Sequence, residues 1–170
     1  MAALVSFPLV GSATPAEATG AAACTITGTI TFIQAASTTG QGTWTIDPAV
    51  ISCHGLFNGY ERILGPGKFS GTGSYGALPG ASGTCLRNVG SGKLDYTFPT
   101  TGSDVHLVEP NDYTLAGVGA FTSPSLKGTF QITPPYEGDC VTKPITRALF
   151  LAEATLVRFV APDPNRYLPG

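Results

Sequence analysis

The sequence predicts an all-β domain, an antiparallel meander closed into a small barrel, with a two-sheet β-sandwich as the alternative. Three observations carry this expectation. Apolar and polar residues alternate with a period of two in several runs, and turn chemistry separates those runs at near-regular spacing. Charged residues make up only 12% of the 170-residue chain, about half the share usual for a soluble protein. Strands so poor in charge invite edge-to-edge association, and barrel closure removes the edges.

The clearest run is Cys24 to Phe32. Ile26, Ile30 and Phe32 fall on one face, with Thr25, Thr27, Thr29 and Thr31 on the other, the signature of a strand packed on one side. Gly42 to Ile46 sets Trp44 and Ile46 against Thr43 and Thr45. Lys68 to Tyr75 sets Phe69 and Tyr75 on one face with Gly71 and Gly73 between them. Lys93 to Phe98 aligns Leu94, Tyr96 and Phe98, and Tyr113 to Phe121 and Gly128 to Ile132 continue the pattern. Glycines inside these runs are expected at bulges or at sharp bends of a small barrel. Turns are expected at Asp47-Pro48, Gly65-Pro66-Gly67, Leu78-Pro79-Gly80, Thr101-Gly102-Ser103, Pro110-Asn111-Asp112 and Pro134-Pro135. Ile145 to Val160 carries apolar residues on both parities and also Leu149, Ala152 and Leu156 at helical spacing. The all-β context favours a long strand buried on two sides over a helix plugging the barrel.

Residues 1–18 read as a truncated or atypical signal peptide. A short apolar run, Ala2 to Val10, precedes the small-residue cleavage signal Ala16-Glu17-Ala18, and no Lys or Arg occurs before Arg62. Residues 19–160 form the single all-β domain, and the proline-rich tail 161–170 is extended. Four cysteines, Cys24, Cys53, Cys85 and Cys140, are expected as two disulfides in an oxidising compartment, secreted or in the cell envelope. Three connectivities are open, and the pairing preferred is Cys53–Cys85 across the middle strands with Cys24–Cys140. Lipidation of Cys24 is disfavoured, because Ala21 stands where a large aliphatic residue belongs and three thiols would remain.

Net charge is −2 with no basic run, which argues against a nucleic-acid partner, and no apolar stretch is long enough for a transmembrane helix. Gly71-Thr-Gly-Ser-Tyr-Gly76 fits G-x-G-x-x-G, but Leu78-Pro79-Gly80 follows and no helix can start to receive a pyrophosphate. Gly90-Ser-Gly-Lys93 lacks the hydroxyl that a phosphate loop needs after its lysine. Cys53-His54 has no second ligand pair at metal-binding spacing, so neither metal nor cofactor is expected. Asp104, His106 and Glu109 share a segment in which a base and an orienting acid are conceivable, but no serine elbow accompanies them and no catalytic residue is assigned. Aromatic groups with one polar end suit small ligands and sugars. Trp44, Tyr60, Arg62 and His106 are therefore the candidate binding residues.

The run from Cys24 to Phe32, with Ser82-Gly-Thr-Cys85 and Asp139-Cys140, resembles a group of small exported actinobacterial proteins rich in Thr and Gly. The resemblance implies export and a β-barrel or sandwich; it implies no catalytic residues. The function expected is non-enzymatic binding of a small ligand or of an envelope or extracellular surface. The alternatives are a small secreted enzyme with His106 or a carboxylate as acid/base in the barrel mouth, and a structural or interaction module presenting its Thr-rich face.

Overall fold

A computed structural model describes residues 21–36, 41–79, 85, 87–139 and 142–157. The leader segment 1–18, the tail 161–170 and Cys140 lie outside the described residues. The strands are β1 (Ala22–Ala36), β2 (Gly42–Phe57), β3 (Glu61–Arg62), β4 (Gly67–Ala77), β5 (Arg87–Pro99), β6 (Asp104–Ala116), β7 (Val118–Thr122), β8 (Leu126–Glu137) and β9 (Ile145–Leu156). Eight of them close into an antiparallel barrel in the order β1-β2-β4-β5-β6-β7-β8-β9, with β1 paired to β2 on one edge and to β9 on the other. The two-residue β3 hangs from the end of β2. The expected meander is therefore present and closed.

Alternation sets inside from outside. Ile26, Ile30 and Phe32 of β1 are buried, as are Trp44, Ile46 and Ile51 of β2, Leu94, Tyr96 and Phe98 of β5, and Phe130 and Ile132 of β8. Each large apolar side chain buried in this way contributes about 1.5–3 kcal/mol. Thr, Ser and charged residues are frequent on the opposite parity, which also carries exposed Val50, Val89, Val108 and Val118. β9 settles the ambiguous segment as a strand, but not one buried on both sides. Ala148, Phe150, Ala152, Ala154 and Leu156 point inward, while Leu149 and Leu151 stand outside, 38% and 41% exposed.

Three expected turns lie inside strands. Asp47-Pro48 sits in β2 where the register with β4 shifts between Ile46 and Ala49, and Pro134-Pro135 sits in β8 where the register with β9 shifts between Thr133 and Glu137. Pro110 lies in β6 before the pairing with β7 begins at Asp112, so only β5 flanks it. Proline is tolerated in sheets at bulges and where one neighbour is missing, since no N–H is then needed on that side. Conversely, Tyr113–Phe121 is not one strand. Gly117, at φ 85°, turns β6 into β7 with Ala116 opposite Val118, a backbone state that favours glycine.

Cys24 and Cys53 stand opposite each other in the β1–β2 ladder and form a disulfide, with Cα atoms 4.0 Å apart. This overturns the expected Cys53–Cys85 and Cys24–Cys140 pairing. The partner is set by the β1–β2 register, which cysteine spacing does not encode. It also leaves no thiol at Cys24 for a lipid. Cys85 is disulfide-bonded too.

The strand glycines mostly do something other than bend the chain. The indole of Trp44 lies across β4 and β5, over positions that carry no side chain. A Cβ added at Gly73 would fall 2.5 Å from Trp44 Cζ2, one at Gly92 2.8 Å from it, and one at Gly71 3.0 Å from Cζ3. Gly90 gives the same clearance to Tyr113, whose hydroxyl would lie 2.7 Å from an added Cβ. Gly28, beside the β1–β2 register shift, and Gly71, beside the β2–β4 shift, fit the expected bulges.

Gly73→Ala should therefore destabilise the barrel by about 1–3 kcal/mol through overpacking against Trp44 and the Ser91 carbonyl, which lies closer still to the added Cβ, read from denaturant midpoints. Gly76→Ala, where an added Cβ meets nothing within 4 Å, should be neutral or slightly stabilising. Equal midpoints for the two variants would refute the clearance role.

Candidate functional site

The inward face of β6 carries Val105, Leu107, Glu109, Asn111, Tyr113 and Leu115. Two polar residues thus interrupt an otherwise apolar parity deep inside the barrel, and Glu109 is only 4% exposed. A carboxylate buried this far requires donors. Its Oε2 accepts from the Tyr96 hydroxyl at 2.9 Å, the Ser123 hydroxyl at 3.0 Å and the Ser125 backbone N–H at 3.2 Å.

The local fold explains why. β7 ends at Thr122, so the segment Ser123-Pro124-Ser125 must turn into β8 beside a stretch of β6 that has no β7 partner. Glu109 supplies the acceptor that a strand would otherwise supply. Ser123 completes the turn, its Oγ lying 2.7 Å from the Leu126 carbonyl and accepting from the Leu126 N–H at 3.2 Å. Glu109 Oε1, Asn111 Oδ1 and Ser125 Oγ are buried without a hydrogen-bond partner in the protein.

Beside this cluster the barrel is filled by aromatic rings. Trp44 meets Tyr113 edge to face at 5.8 Å, Tyr113 meets Phe130 at 5.8 Å, and Phe130 meets Phe150 at 5.5 Å. Such pairs add about 0.5–1.5 kcal/mol each beyond their buried area. Among these rings remains a cavity of about 30 Å³, lined by Trp44, Asn88, Asn111, Tyr113, Phe130 and Phe150 among others. The second hollow is different in kind. It is open to solvent, about 600 Å³, and lies on the rim at the starts of β2 and β5 and the end of β4. Thr43, Ser74, Tyr75, Val89, Ser91 and Asp112 line it.

The four candidate binding residues do not meet. Trp44 is buried at 4% exposure as part of the core. Tyr60, 70% exposed, and Arg62 share the β2–β3 hairpin at the opposite rim, where Arg62 N–H donates to Thr101 Oγ1 at 3.1 Å. His106 stands on the outer wall, its Nε2 2.8 Å from Asp95 Oδ1 of β5, so it is not in the barrel mouth and its acid partner is not Asp104. Asn111, Ser123 and Ser125 are buried polar residues that the sequence reading missed, and Glu109, considered there in the segment with Asp104 and His106, is buried with them on the face opposite His106. Their signal was the parity of β6, on which Glu109 and Asn111 share a face with Tyr113 and Leu115. Among the described residues no group of three or more His, Cys, Asp or Glu is arranged to hold a metal ion. Set against known protein families, curated proteins and solved structures, the chain matches none.

Three phenols respond to this interior. Tyr96 is held well above the ordinary value of 10.0, first by burial and then by the charge of Glu109 and the hydrogen bond to it. Tyr113 is raised by burial and by the neighbouring Tyr75 phenol, while the Trp44 indole N–H opposes the rise. Tyr75 is raised by burial.

Glu109→Ala, which strands the buried Tyr96 hydroxyl and Ser125 N–H while the Ser123 hydroxyl keeps the Leu126 carbonyl, should cost about 2–4 kcal/mol, and Glu109→Gln, which keeps an acceptor, distinctly less. Denaturant titration checks both, and equal losses would show that Oε2 is not the acceptor that matters. The phenols give a pH dependence of known sign. Above pH 10.0 the unfolded chain ionises these tyrosines while the barrel keeps them neutral, so folded stability, full below that pH, falls as pH rises beyond it. Absorbance at the tyrosinate band should show Tyr75, Tyr96 and Tyr113 ionising together with loss of the near-ultraviolet circular dichroism of the fold. Smooth ionisation of all tyrosines within a folded barrel would contradict it.

Proposed function

We propose that this chain is an exported, non-enzymatic binding module that works through its outer wall, and that its partner is an extended, hydroxyl-rich polymer of the cell envelope or its surroundings. The observation that carries this is the filled interior. A cavity of about 30 Å³ is an order of magnitude below the roughly 300–1,000 Å³ of small-molecule sites. Binding by Trp44 in the barrel lumen is therefore not the reading favoured.

The outer wall offers a better surface. Cross-strand register places Thr31, Thr45 and Thr72 in one row over β1, β2 and β4. It places Thr43, Ser74, Ser91 and Asp112 in another over β2, β4, β5 and β6. Neighbours in such a row lie about 4.7–4.9 Å apart strand to strand, so uncharged hydroxyls repeat at short, regular intervals. The second row borders the open rim hollow, which gives a polymer chain a concave seat with one carboxylate acceptor. Export is supported by the leader-like start and by the disulfide, which belongs to oxidising compartments. A carboxylate-based enzyme resting on Glu109 is not favoured, because at 4% exposure its Oε2 is engaged by Tyr96 and the Ser123–Ser125 turn.

Cosedimentation with purified envelope polysaccharides tests this. The native protein should pellet with at least one of them, and Ser74→Arg with Ser91→Arg, which fills the hollow, should weaken binding at least tenfold with unchanged circular dichroism. Undiminished binding by that variant, or a native mass spectrum carrying a discrete small molecule, would overturn the reading.

A further inference from the structure

Asn111 and Trp44 both line the central cavity, and each carries a buried polar atom with no hydrogen-bond partner, Asn111 Oδ1 and Trp44 Nε1. One is an acceptor and the other a donor. They come from β6 and β2, strands separated in the barrel wall by β4 and β5. The indole N–H is near enough to the Tyr113 oxygen to affect its proton affinity without forming a hydrogen bond of normal geometry. Leaving such groups unmade costs about 1–3 kcal/mol apiece, yet the strand glycines are spaced to admit the Trp44 ring in this position.

The cavity size fits one remedy. A site needs about 10–15 Å³ open to the centre of a water-sized sphere to hold a water, together with two to four polar partners. The space between these side chains is about 30 Å³, ample for a water and far too small for an organic ligand. We infer that the barrel contains a specific internal water site, in which one water accepts from Trp44 Nε1–H and donates to Asn111 Oδ1, tying β2 to β6 across the lumen. Asn88 and Tyr113 are the other lining residues with polar side chains. The inference is independent of the outer-wall function. It gives the buried Asn111 amide a partner in a largely apolar lining.

The test is nuclear magnetic resonance of the intact protein. The sequence holds a single tryptophan, so its indole proton is assigned without ambiguity. Magnetisation transfer from the water resonance to that proton should be seen with the sign of a long-lived, protein-bound water. It should persist in Tyr113→Phe, which excludes relay through an exchanging phenol, and vanish in Asn111→Leu. Absence of the cross-peak in the native protein would overturn the site without any variant being needed. Loss of the peak in Tyr113→Phe, or its survival unchanged in Asn111→Leu, would do so as well.

Discussion

The pairing of β1 on both its edges is the constraint on which the other features depend. Once β1 lies between β2 and β9, the sheet has an enclosed face and an outer face, and the parity of every strand acquires a meaning. The disulfide follows from that register, since it joins two cysteines that the β1–β2 ladder already sets opposite each other. The lumen follows too. A closed eight-stranded wall leaves an interior about wide enough for side chains to fill, and here aromatic rings do so until only a water-sized space remains.

Filling the lumen with an indole makes a demand on the wall. Trp44 is too large to sit opposite ordinary side chains in so narrow a tube, and Gly71, Gly73 and Gly92 provide the missing width. Glycines of this sort weaken a strand when taken alone, by roughly 0.5–1 kcal/mol relative to alanine. Their cost is offset by the burial of the largest side chain in the chain, so local propensity and global packing disagree here and packing wins. The short β7 makes a second demand, met by the Glu109 carboxylate. An acidic residue inside an apolar tube is thus explained by a turn that lacks a neighbouring strand.

Much of the fold was legible in the sequence, and the reasons for the misreadings are specific. Period-two alternation located the inward residues of β1, β4, β5 and β8, because a half-buried strand leaves its parity in the sequence. Prolines misled at Asp47-Pro48, Pro110 and Pro134-Pro135. Their tolerance depends on bulges and on which strands flank them, and neither is a local property. The disulfide partners, the Trp44 clearance and the Glu109 acceptor all join residues distant along the chain, and only the register brings them together. Of the candidate binding residues, sequence supplied chemical type but not place. It could not tell that Trp44 faces the lumen as core, that His106 faces outward to Asp95, or that Tyr60 and Arg62 occupy the far rim.

The direct pairing of Ala22 with Leu156 also gives the barrel a polarity. The described chain enters and leaves through the same rim, the one that carries the Tyr60 hairpin, and Val157 is held there by its N–H bond to the Ser125 carbonyl at 2.7 Å. The hollow bordered by Thr43, Ser74 and Ser91 opens at the other rim. The first and last described strand residues therefore share one rim and the hydroxyl-lined hollow occupies the other, so the two ends of the barrel are chemically unlike.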